Sequence, residues 1–84
     1  MHDLHEADKI LKIILDFAQK NKLKKISFAE IELGQIIEHG MDLNPENLEF
    51  NIKMLAKGTL AEGLELKIIK IKDKIWKINE IKGE

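Results

Sequence analysis

Cysteine is absent from the 84 residues, which excludes disulfides, thiolate zinc sites and cysteine nucleophiles together. Arginine is absent as well, so all 14 basic residues are lysines. Guanidinium is the usual group for bidentate recognition of phosphates and base edges. Its absence, beside a net charge of -1, argues against nucleic acid as a partner and leaves no bulk attraction to an acidic membrane. Ser27 and Thr59 are the only hydroxyl side chains, and neither has a histidine near it in sequence. The five glycines are scattered at 34, 40, 58, 63 and 83 and form no phosphate-cradling loop, so the chain is not expected to be an enzyme. No apolar run approaches the roughly 18 residues that cross a bilayer. Met1-His2-Asp3 is unlike the basic start of a signal peptide, and the expected localisation is cytoplasmic.

What is present is a compact set of periodic segments. Leu4, Ala7, Ile10, Leu11, Ile14, Phe17 and Ala18 carry the spacing of one helical face, and lysines crowd the exit of that helix beyond Asn21, where cations suit the negative end of its dipole. Ala29, Ile31 and Leu33 alternate with Glu30 and Glu32, the period of a half-buried strand that Gly34 closes. Residues 35–44 show no clean period and are expected to form a loop. Asn44-Pro45 reads as an N-cap followed by proline in the first turn of a second helix, which runs to about Lys57 with Leu48, Ile52 and Leu55 inward and Gly58 as its stop.

Leu64, Leu66 and Ile68 begin a second strand that ends near Ile71. Lys72-Asp73-Lys74 is short enough for a hairpin turn, and Ile75 to Ile81 makes a third strand with Trp76 and Ile78 on one face. Alternation breaks at Ile68-Ile69 and at Ile75-Trp76, which implies either a bulge or burial on both faces there. The order is αβαββ, an α+β class: a single domain over residues 1–84, with a three-stranded sheet and two helices packed on it. Phe50 and Met54 lie well round the second helix from its buried stripe, and with Trp76 they offer an apolar patch for a partner; a domain of this size commits most of its apolar residues to folding, so all three are expected in the core.

Four separated segments give the chain a family resemblance. They are Met1-His2-Asp3-Leu4, Ile31-Glu32-Leu33-Gly34-Gln35, Pro45-Glu46-Asn47-Leu48-Glu49-Phe50, and Lys57-Gly58-Thr59-Leu60-Ala61-Glu62-Gly63-Leu64-Glu65-Leu66. In this order and near this spacing they resemble the HypA/HybF family of hydrogenase nickel-incorporation proteins. That family carries a zinc domain with two Cys-x-x-Cys pairs between its last two strands, where this chain has only Lys72-Asp73-Lys74. The resemblance is therefore to the nickel-binding part alone, and no structural zinc is expected. Asp3 stands where the family has Glu, and Gln35 replaces another Glu.

The resemblance implies an Ni(II) site at Met1, His2 and Asp3, and the chemistry of those residues permits it. The α-amine, a following amide nitrogen and the His2 imidazole can close chelate rings around one ion, and the Asp3 amide can complete a plane. Planar nitrogen coordination suits Ni(II) and Cu(II) better than Zn(II). His5 lies opposite the apolar stripe and reads as a solvated surface residue, the alternative being a second ligand that shares a helical face with His2; Glu38, His39 and Asp42 read as an ordinary turn, the alternative being a loop folded towards the N-terminus. Glu62 reads as part of a turn with Gly63 at an unusual backbone angle. The resemblance further implies a metallochaperone that passes nickel, with a HypB-type GTPase, to a hydrogenase precursor, and urease is a second possible client. The rival reading is a metal-independent protein-interaction module that keeps the scaffold alone, using the second helix or an edge strand.

Overall fold

The computed structural model describes residues 2–34, 37–38, 41–42 and 44–84, with side chains described for 5–34 and 44–84. Helix α1 spans His2–Lys20. Ala7, Ile10, Leu11, Ile14 and Ala18 of its apolar stripe are buried, whereas Phe17 stays 39% exposed at the edge. On the outer surface Asp8 pairs with Lys12 at 2.9 Å and Asp16 with Lys20 at 3.0 Å, one helical turn apart, each contributing a few tenths of a kcal/mol. Beyond Lys20 the chain reverses through a Schellman-type closure: Leu23 N donates to Ala18 O at 2.8 Å and Lys22 N to Gln19 O at 3.2 Å. Lys22 takes the positive φ of 56° that this closure demands.

Strand β1, Ile26–Leu33, follows. Its inward residues Ala29, Ile31 and Leu33 are fully buried, while Phe28, Glu30 and Glu32 on the opposite face are half-buried. Two-residue strands β2, Ile37–Glu38, and β3, Met41–Asp42, pair antiparallel with each other. The segment expected to be loop thus contains a small ladder, which two-residue strands are too short to announce by period. Helix α2 spans Pro45–Leu55. The Asn44 side-chain oxygen accepts from Glu46 N at 2.8 Å and Asn47 N at 3.3 Å, and Pro45 occupies the first turn as expected. Leu48, Ile52 and Ala56 are buried, and they share one apolar cluster with α1 and the inward side of β1. Both helices therefore cover the same face of the sheet.

Strands β4, Glu65–Lys70, and β5, Trp76–Gly83, complete the sheet in the order β4-β1-β5. β1 pairs parallel with β4 and antiparallel with β5, and α2 lies within the crossover that a parallel pair requires. This corrects the expected hairpin, because β4 and β5 flank β1 rather than pairing with each other. Residues 71–75 instead pass over the end of β1: Ile71 N donates to Leu33 O and Gly34 N to Ile75 O, each at 2.9 Å. Gly34 makes the crossing possible. A Cβ there would meet the Asp73 carbonyl oxygen, lie 2.5 Å from Ile75 O and lie 2.7 Å from the Asp73 carbonyl carbon.

β4 pairs without a register break, and Ile68 and Ile69 are both half-buried, so burial on both faces accounts for the broken alternation there; the register breaks of the sheet fall at Ser27 and at Asn79. The slip at Asn79 lets both Ile81, opposite Ala29, and Ile78, opposite Ile31, face the helices despite their odd separation. Phe50 and Met54 are not core: they project from the outer side of α2, 66% and 42% exposed.

Candidate metal centre

Of the expected ligands, His2 and Asp3 belong to the start of α1. Met1 lies outside the described residues. His2 and Asp3 form the first turn of α1 by their backbone, and their side chains lie outside the described set. The first four N–H groups of an α-helix have no acceptor within it. The amide nitrogens of His2 and Asp3 are consequently not consumed by the helical ladder, as amide ligation would require. His5 is exposed, in keeping with its reading as a surface residue. The side chains of Glu38, His39 and Asp42 lie outside the described residues. Among the described residues no group of three or more His, Asp or Glu side chains is placed to hold a metal ion.

One turn below His2, a feature appears that the periodicity did not single out. Glu6 is only 6% exposed. Its Oε2 accepts a hydrogen bond from the Trp76 indole nitrogen at 2.8 Å, and its Oε1 lies 3.6 Å from Lys9 Nζ. A buried carboxylate is costly unless hydrogen-bonded or paired, and here both conditions are met near a helix N-terminus, where negative charge is favoured. Trp76 is the first residue of β5, opposite Leu33. The available signal in sequence was a carboxylate at the margin of the apolar stripe in a chain with a single tryptophan. Nothing local joins residues 70 positions apart.

The segment that carries the longest stretch of family resemblance is structural. Gly58 and Gly63 adopt φ of 80° and 78°, and Glu62 Oε1 accepts from Gly58 N at 2.8 Å. Thr59 Oγ1 donates to Ala56 O at 2.6 Å and accepts from Ala61 N at 3.1 Å. This knot turns the chain from α2 into β4 while burying Ala61 and Leu64, and it supplies Leu60 O to Ile26 N at 2.8 Å.

With this geometry in view, known proteins give a consistent comparison. The family model described as hydrogenase/urease nickel incorporation, metallochaperone, HypA matches residues 1–77. The hydrogenase maturation factor HypA of Thermococcus onnurineus is 37% identical over 91 residues, covering 99% of this chain and 63% of its own length. The factor of the same name from Methanothermobacter thermautotrophicus is 38% identical over 63 residues, covering 75% and 48%. That of Pyrococcus abyssi is 34% identical over 93 residues, covering 100% and 63%. The chain thus spans about three-fifths, or less, of the length of these curated relatives. Among solved structures, the solution structure of the Ni metallochaperone HypA from Helicobacter pylori is similar with a TM-score of 0.79 over 96% of each chain. At 8% identity that likeness speaks for the fold alone. No helix among the described residues is long and apolar enough to cross a membrane.

Proposed function

This chain belongs to the HypA family of hydrogenase/urease nickel-incorporation metallochaperones, and from that premise we propose that it carries one Ni(II) at its N-terminus during hydrogenase maturation in the cytoplasm. The ligands in this reading are the Met1 amine, the His2 amide and imidazole, and the Asp3 amide. The observation that carries it is the placement of His2 and Asp3 in the first turn of α1, where backbone nitrogens lack helical acceptors. Nickel is cargo, to be taken up and released. A site at the end of a helix, built on consecutive residues, is accessible to an acceptor protein. The receiving partners in this reading are a HypB-type GTPase and a hydrogenase precursor.

The test is an Ni(II) titration of protein beginning at Met1. A single 1:1 site is expected, its affinity falling as pH is lowered because protons compete for the amine and imidazole. His2→Ala, or residues added before Met1, should abolish the site. Binding that survives both changes would remove the N-terminal assignment.

The rival reading, a metal-independent interaction module, draws on the exposed Phe50 and Met54 of α2, since aromatic and Met side chains are enriched in binding surfaces. The two readings part in cells. Retained hydrogenase maturation by His2→Ala with loss in Phe50→Asp would favour the module, and the opposite pattern favours nickel carriage.

A further inference from the structure

We propose that the Glu6–Trp76 hydrogen bond positions the metal-bearing turn, making Glu6 a positioning residue for nickel and Trp76 its anchor on the sheet. The inference rests on the reading that Ni(II) is held by Met1, His2 and Asp3. Glu6 lies four residues after His2, about 6 Å further along the helix axis. The helix start has no acceptors for its own first N–H groups, so its order depends on contacts made just inside it. Ala7 and Ile10 bury themselves there, but apolar contacts are non-directional. The Glu6 carboxylate adds a directional bond of 2.8 Å to the indole N–H.

The anchor is itself well seated. Trp76 follows Ile75, whose carbonyl accepts the Gly34 N–H at 2.9 Å, and it stands opposite Leu33, which is fully buried. The close approach of Gly34 to Asp73 and Ile75 leaves this segment no room to shift toward β1. Lys9, 3.6 Å from the other carboxylate oxygen and half-exposed, steadies the charge from the solvent side. The first turn of α1 is thus referred to the end of the central strand through this side-chain pair. Ligands on consecutive residues must hold one plane around the ion, and a frayed start would spend part of its time outside that geometry. Apparent affinity then falls in proportion to the fraction of molecules with the turn in place.

The experiment combines Ni(II) titration with Trp76 emission, the only indole in the chain. Glu6→Leu, which keeps the side chain's size, and Trp76→Phe, which keeps an aromatic ring though a smaller one, both remove the bond and should each weaken binding about tenfold. The double variant should be little worse than either alone, because the two side chains act as one unit. Glu6→Gln keeps an acceptor oxygen, so it should restore affinity to within about twofold of the parent. That rescue separates positioning from attraction between the carboxylate and the metal. In the parent, quenching of the indole should reach its end point at one equivalent of nickel, and the quench per bound ion should shrink in Glu6→Leu. Parent-like affinity in both Glu6→Leu and Trp76→Phe, with nickel still bound through His2, would overturn the link alone. Loss in Glu6→Gln equal to that in Glu6→Leu, with Trp76→Phe unaffected, would overturn it in favour of simple charge attraction. A parent protein that binds no nickel would overturn the nickel reading and the link with it.

Discussion

The two ends of α1 are held by opposite means. At the exit, Leu23 N returns to Ala18 O and Lys22 N to Gln19 O, while the Asn21 side-chain nitrogen donates to Phe17 O at 2.9 Å. These bonds all lie within the seven residues from Phe17 to Leu23. At the start, where nickel chemistry is proposed, the described directional tie to the sheet is Glu6 to Trp76, 70 residues away in sequence. A local closure forms as soon as the helix forms, whereas a tie across the chain exists only in the finished fold. The end at which nickel binding is proposed is accordingly the end whose order depends on the sheet.

The sharpest way to break this contrast is to disturb the seat of the anchor. Gly34→Ala places a methyl group against two carbonyl oxygens and a carbonyl carbon of residues 73 and 75. These are backbone atoms that cannot rotate away, so a cost of about 3 kcal/mol is expected, a drop in melting temperature of more than about 10 °C for a domain of this size. Gly58→Ala is the control, since it meets nothing within 4 Å but has a φ of 80°, so only backbone strain of about 1–2 kcal/mol should register. Equal thermal shifts in the two variants would show that the crossing over β1 is looser than the geometry requires. In Gly34→Ala the nickel affinity should fall together with stability, and in Gly58→Ala it should not.

The same contrast explains what could be read before folding. Features with local causes were legible: the apolar stripe of α1, the Asn44-Pro45 start of α2, the alternation of Ala29, Ile31 and Leu33, and the left-handed Gly63. Order within the sheet was not. Lys72-Asp73-Lys74 has the length of a hairpin turn, and what marks the crossing over β1 is the bare Gly34 just beyond that strand, remote from it in sequence. That Ile81 shares the face of Ile78 follows from the slip at Asn79, which is a property of pairing with β1. Phe50 and Met54 were assigned to the core on size and composition, although their angular position on α2 already pointed outward. For the site, the ligand candidates came from the resemblance and from coordination chemistry. Glu6 was passed over because its partner is remote.

A smaller effect of opposite sign is expected at the exit of α1. Lys22 holds a φ of 56°, a conformation that costs an L-residue roughly 1–2 kcal/mol and a glycine almost nothing. Part of that gain is lost to the extra freedom glycine gives the unfolded chain. Lys22→Gly should therefore raise stability by about 1 kcal/mol in a urea titration, with the denaturant slope unchanged. Nickel affinity should stay at the parent value, because this closure is independent of the Glu6 tie. A Lys22→Gly variant that is destabilised would mean that the lysine contributes more at this position than its strained backbone costs.

The smallest expected effect separates the two faces of β5. Trp76 faces the helices, while Lys77 faces away and reaches Glu32 Oε1 at 3.3 Å. A hydrogen bond from Asn79, and after it one from Lys77 together with its charge, holds the Glu32 carboxyl below the ordinary carboxylate range, against the opposing influences of desolvation and Asp73. A depressed carboxyl contributes stability that is present above its unfolded-state pKa and is lost as pH falls through the folded value. The contribution is therefore complete at neutral pH and disappears only on the acid side. Lys77→Met should move the Glu32 titration midpoint upward, read from its side-chain carboxyl carbon by NMR, without reaching the ordinary value because Asn79 remains. Added salt should shrink the difference between parent and variant, as it does for solvent-exposed charges. Emission from Trp76 and the nickel isotherm should not change, since the substitution acts on the open face of the sheet. A shift in either would mean that the two faces of β5 are coupled through its backbone, and that the tie at Glu6 responds to more than its own hydrogen bond.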